Sequence, residues 1–162
     1  METFAQYAFR AVMYAIMGMA LEVIGAVDGI DRILGFHLER RVPKKYLEGF
    51  VSLYMIPLHG FGMLFGFEAV RDLTGDWFIG FRYLVWCVVF TLAEAAWGFL
   101  LDRTVGFYTW DYYRNSRFKV FKRGYTLWTL VPVWGVVGLF LEVYSDLLRH
   151  LSPYAAAFFA SM

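Results

Sequence analysis

Four stretches of the chain stay apolar for more than twenty residues, broken only by isolated polar positions: about Phe4 to Val27, Gly49 to Val70, Trp77 to Leu101 and Thr126 to Leu148. A helix needs about 20 apolar residues to cross the hydrocarbon core of a bilayer, so each stretch is long enough to span. Helices are the predicted form, because unpaired backbone amides cannot face lipid and the runs are too long and unbroken for barrel strands. Between them lie two polar loops, residues 28–48 and 102–125, and one short connection. The tail "LSPYAAAFFASM" is too short to cross and contains Pro153, which removes a helix amide, so it is expected to leave the last helix and lie in the interface.

Composition supports the same class. Among 162 residues, 60% are hydrophobic, 21% aromatic and 18% charged, with mean hydropathy +0.51, well outside soluble usage. The expected fold is all-α: one integral-membrane domain with four transmembrane helices. A net charge of +1 lacks the concentrated basic face that nucleic acid requires. The single cysteine, Cys87, cannot form an intramolecular disulfide and reads as apolar filler. The start "METFAQYAFR" has an acidic residue before its only arginine and no small-residue cleavage site, so the first span is expected to be retained.

Basic residues predict orientation. Arg32, Arg40, Arg41, Lys44 and Lys45 follow the first span, and Arg103, Arg114, Arg117, Lys119, Lys122 and Arg123 follow the third; these are eleven of the fifteen basic residues. The positive-inside bias therefore places both loops in the cytoplasm and both termini outside, in a multi-pass protein of the cell membrane. The same loops suit anionic headgroups.

Ionisable residues inside a span are costly unless they pair, neutralise or reach water, and this singles out Glu22, His59 and Glu94. With a rise of about 1.5 Å per residue, Glu94 and Glu22 fall in the cytoplasmic half, and His59 enters from the same face to about 15 Å. The expectation is a shared pocket in which Glu94 and Asp111 act as acid or base and His59 relays a proton. Glu22, Trp97, Trp110, Tyr112, Arg114 and Asn115 would contact the substrate. A structural role for His59, bonding a carbonyl freed by Pro57, and an aromatic headgroup belt for the segment around Trp110 are the plainer alternatives. Asp28 and Asp102 read as caps at helix ends. Glu68, Glu142 and Asp146 lie toward the outer face, where they can form a shared polar cluster with Arg71 or Arg149; snorkelling to the interface is the cheaper reading and the one expected. Glycines 60, 62 and 66 read as close-approach positions. No metal ligand set, no cofactor motif, no Walker motif and no GxSxG elbow occurs.

The halves resemble one another. Glu22, Gly25 and Asp28 precede a basic loop and "PLHGFGMLFGFE"; Glu94, Gly98 and Asp102 precede a basic loop and "PVWGVVGLFLE". Two repeated helical hairpins fit this pattern.

Several segments, "YAIMGMALEV", "YMIPLHGFGMLF", "TLAEAAWGFLLDRTVGFYTWDYY" and "LW…PVWG", carry a further likeness. Over most of its length the chain resembles the transmembrane protein 229 family and its bacterial relatives, the CmpB-type permeases of ABC transporters. The resemblance implies a small polytopic helical membrane protein whose motif residues are Glu22, Pro57 to Gly62, Glu94 and Trp110-Asp111-Tyr112. His59 stands where the bacterial form has tyrosine, and Tyr113 and Arg114 replace its serine and asparagine pattern.

Three readings follow: a permease-like or lipid-handling protein with a polar pocket open to the cytoplasmic leaflet, an intramembrane enzyme acting on a lipophilic substrate, or a structural subunit of a membrane complex. Membrane lipid is the expected partner in all of them. Four short helices enclose little volume, so transport calls for a homodimer or a partner subunit.

Overall fold

The computed structural model describes residues 3–27, 30–38, 49 and 51–162. Asp28, Arg40, Arg41, Lys44 and Lys45, and with them most of the first basic loop, lie outside the described residues. The described chain is helical: α1 (Phe4–Val27), α2 (Ile30–Leu34), a π-helix (Leu58–Phe67) continuing into α3 (Glu68–Thr74), α4 (Ile79–Thr104) and α5 (Val131–Ala160). Short 3-10 turns occupy Leu53–Met55, Asp111–Asn115 and Trp128–Leu130. Among the described residues, four helical stretches are long and apolar enough to cross a membrane: Phe4–Gly25, Leu53–Thr74, Ile79–Thr104 and Trp128–Ala160.

The last helix corrects the sequence expectation. It does not stop near Leu148 but runs through Pro153 to Ala160. The reason is local: proline leaves the carbonyl four residues back without its amide donor, and the Ser152 hydroxyl donates to that carbonyl, on Arg149, at 3.2 Å. Inside an apolar helix such a substitute donor is what makes proline tolerable.

The π-helix also departs from the plain α-helix that an apolar run implies. Pro57 stands at its N-cap, and Gly60, Gly62 and Gly66 lie within it. The closing amide, on Glu68, bonds to the Met63 carbonyl, five residues back. The wider turn of a π-helix is rare beyond single bulges and tends to mark functional sites.

The chain forms two compact units. The first contains residues 1–21, 53–77 and 140–162. Here α1 and the π-helix approach closely: a Cβ at Gly18 would collide with the His59 ring, and one at Gly60 would press on the Ala11 carbonyl at 3.3 Å. Gly66 faces open space, so of the glycines expected to permit packing, Gly60 does and Gly66 does not. Tyr14, fully buried, meets Phe67 and Tyr144 edge to face at centroid distances of 6.4 and 6.0 Å, an arrangement that aromatic quadrupoles favour.

The second unit contains residues 22–52 and 78–139. A Cβ on Gly138 would collide with Cβ and Cγ of Trp86, so the glycine is what lets the fully buried indole sit against α5. Trp86, Phe90 and Trp134 follow in a chain of ring contacts at 5.5 and 5.8 Å. The segment after α4 is pinned at several points. The Ser116 hydroxyl donates to the Leu34 carbonyl at 2.5 Å and the Thr129 hydroxyl to Ile33 at 2.7 Å. An isolated antiparallel bridge joins Lys119 and Leu127. Gly124 turns the chain at φ +70, a left-handed conformation that glycine adopts without penalty.

Candidate functional site: a buried carboxylate and its aromatic collar

Glu94 lies in the second half of α4 and is 8% exposed. Its Oε2 accepts from the Thr126 hydroxyl at 2.5 Å and from the Trp134 indole N–H at 3.2 Å, and the Tyr113 hydroxyl is also within hydrogen-bonding reach. These are neutral donors. Three separate parts of the chain supply them: the 3-10 turn, the return from the Lys119–Leu127 bridge, and the first turn of α5. A buried carboxylate with its lone pairs answered in this way is far less costly than a bare one.

Glu22, on α1, belongs to the same unit and its charge is felt at Glu94. Tyr112 and Tyr113 feel the charge of both acids. Burial pushes both phenols above the ordinary tyrosine range; Glu22 and then Glu94 reinforce it at Tyr112, and Glu94 leads at Tyr113. Their rings meet edge to face at 5.2 Å. Trp110 donates its indole N–H to the Tyr125 carbonyl at 2.8 Å and lies over Gly98, where a Cβ would come within 3.1 Å of the indole. The glycine one turn past Glu94 thus makes room for the aromatic collar.

A second acidic centre organises the same segment. Asp102 accepts from the Tyr125 hydroxyl at 2.6 Å and from Arg123 at 2.5 Å, with Arg114 at 3.6 Å. It therefore acts as a clasp across the loop rather than as a simple helix cap. The Tyr108 hydroxyl donates to the Arg123 carbonyl and accepts from Arg114 Nε at 3.3 Å. Burial raises the Tyr108 phenol, against the pull of Arg114. At Tyr125 burial comes first and the bond to Asp102 second, both raising it.

The remaining sequence candidates are placed as follows. Asp111 is exposed at the head of the 3-10 turn and Asn115 is exposed at its end. Arg114 is exposed and engaged with Tyr108 and Asp102. Trp97 is half-buried on α4. His59 belongs to the first unit, where its ring occupies the space left by Gly18. Among the described residues, no three His, Cys, Asp or Glu side chains are grouped to hold a metal ion.

Sequence reasoning missed Thr126, Trp134 and Tyr113 as the partners of Glu94. The shared polar cluster with Arg71 and Arg149, which sequence reasoning set aside in favour of snorkelling, is formed in the first unit. Glu68 does not snorkel: it is 6% exposed, with Arg10 Nε at 3.1 Å, Arg149 Nη2 at 3.0 Å and the Tyr14 hydroxyl at 2.9 Å. Arg149 also grips Asp72 through both terminal nitrogens at 2.6 and 2.9 Å, and Arg71 pairs with Asp146 at 2.6 Å. The sequence signal was the placement of Glu68, Asp146, Arg71 and Arg149 at the same end of their spans; Arg10 and Asp72 were not foreseen as partners.

No family model matches the chain, and no curated protein or solved structure matches it. Four apolar helices define it as a multi-pass helical membrane protein.

Proposed function

We propose that the protein handles a lipid or another lipophilic molecule, in the manner of a permease or lipid-transfer element. Its polar pocket lies around Glu94, Glu22, Tyr112 and Tyr113 and opens to the cytoplasmic leaflet. The observation that carries this reading is Glu94 itself, a buried carboxylate within an apolar span that is held by neutral donors and shares its surroundings with a second acid. Such intramembrane acids mark substrate and ion pathways. The collar of Trp110, Tyr112 and Tyr113 supplies flat, amphipathic walls suited to the headgroup zone. The likeness to the transmembrane protein 229 family and its bacterial permeases agrees with this reading, as does the positive-inside bias of the two basic loops.

The test is transfer of a fluorescent phospholipid between leaflets of proteoliposomes, read by dithionite quenching. Glu94→Gln should slow transfer by roughly ten- to a hundredfold, the range expected when a buried hydrogen-bond partner is lost, while the protein stays folded by circular dichroism. Transfer equal to that of the unsubstituted protein would reject the proposal.

A structural-subunit role is the second reading, favoured by the way Glu94 and Asp102 fasten the segment after α4 to its neighbours. In that case Glu94→Gln leaves transfer at the level of empty vesicles throughout and weakens assembly instead.

A further inference from the structure

The ionic group of the first unit borders an open cleft of about 390 Å³, lined by Tyr7, Arg10, Leu64, Phe65, Glu68, Ala69, Asp72 and Arg149. Two guanidinium groups and two carboxylates form its polar part, so their formal charges cancel. Arg10 and Glu68 are both buried, and Glu68 is paired with Arg10 and Arg149. Asp72 stands at the rim with its side chain half exposed (53%), held by Arg149 alongside Arg71 at 3.9 Å.

Phe65 is 63% exposed, and its ring stacks on that of Phe61, 60% exposed, at 6.5 Å and nearly parallel. The two lie one turn apart on the π-helix, beside a charged floor and on a span that faces hydrocarbon. Counting at about 1.5 Å per residue, Glu68 lies roughly 9 Å from the Thr74 end of its span and Arg10 roughly 9 Å from the Phe4 end of its own. Each span has 22 residues, about 33 Å of helix against a hydrocarbon core about 30 Å thick, so these positions lie about 7 Å inside the hydrocarbon boundary, a depth from which a long arginine side chain reaches the headgroup layer.

We infer that this cleft binds the paired phosphate and ammonium groups of a zwitterionic amphiphile, with an acyl chain laid along Phe61 and Phe65. The phosphate faces Arg10 and Arg149, and the ammonium faces Asp72. Charge balance selects the zwitterion: an anion alone would have to draw an arginine from a carboxylate, whereas a ligand carrying both signs answers both. The π-helix supports the assignment, because a costly backbone form borders the cleft and delivers Glu68 at its end. This site is independent of the Glu94 reading and uses none of its residues.

The experiment is native mass spectrometry of the full chain in detergent, titrated separately with dioleoyl phosphatidylethanolamine, dioleoyl phosphatidic acid and free phosphoethanolamine. The expected order is phosphatidylethanolamine tightest, phosphatidic acid weaker and the soluble headgroup weakest. Asp72→Asn should weaken the phosphatidylethanolamine complex by about tenfold, the scale of a charged hydrogen bond, without weakening phosphatidic acid. Asp146→Asn, which breaks the Arg71 pair, should leave both unchanged. Equal retention of the two lipids, an equal effect of both substitutions, or binding of free phosphoethanolamine as tightly as the lipid would each overturn the proposal.

Discussion

The Ser152 hydroxyl replaces the amide that Pro153 cannot supply, donating to the Arg149 carbonyl at 3.2 Å. Because Ser152 is fully buried, Ser152→Ala should lower stability by about 1 kcal/mol, the net worth of a typical hydrogen bond. Adding Pro153→Ala restores a backbone donor and should recover that loss. Thermal melting of the two single variants and the double variant in detergent checks the coupling.

Arg149 holds a buried partner, Glu68, whereas Asp146 is itself exposed beside the half-buried Arg71. Arg149→Met strands Glu68 with one cation fewer and should cost about 3–5 kcal/mol, as breaking a buried pair does. Asp146→Asn should cost no more than about 1 kcal/mol. Comparable losses from both, measured by chemical unfolding, would contradict the burial contrast described above.

Glycines in apolar helices are not equivalent here. Gly138→Ala drives a methyl into Trp86 and should destabilise by about 1–3 kcal/mol through overpacking. Gly66→Ala meets open space and should be neutral or stabilising by up to about 1 kcal/mol. Melting temperatures of the two variants should move in different directions or by plainly different amounts.

Tyr112 and Tyr113 should stay protonated beyond pH 10. For both, the folded protein favours the neutral phenol, first through burial and then through the nearby carboxylates. A raised value in the fold means that the associated stability is complete below the unfolded tyrosine value near 10 and is lost as pH climbs above it. Ultraviolet titration of tyrosinate should show a late-ionising fraction that coincides with alkaline unfolding and shrinks in the Tyr112→Phe/Tyr113→Phe double variant.

Much of the architecture was readable before any coordinates. The apolar runs located all four spans because lipid solvation acts on the local sequence, one helix at a time. The end of α5 was not readable, since Pro153 is a stop signal unless a neighbour replaces its donor, and Ser152 gives no such notice. Glu94 and Glu22 stood out by their cost in hydrocarbon. Their surroundings did not, because Thr126 lies 32 residues from Glu94 and Trp134 lies 40 residues away. Arg149 and Glu68 are 81 residues apart, and near span ends snorkelling seemed sufficient. Partnerships of this kind are set by how helices pack, which hydropathy does not encode.

The hydrogen bond from Ser116 to Leu34 constrains more than the loop it closes. Two points of one chain that touch outside the bilayer must lie on the same side of it, so the intervening polypeptide traverses the membrane an even number of times. The π-helical span and α4 are therefore obliged to insert together or not at all, whatever the charges of the loops would favour.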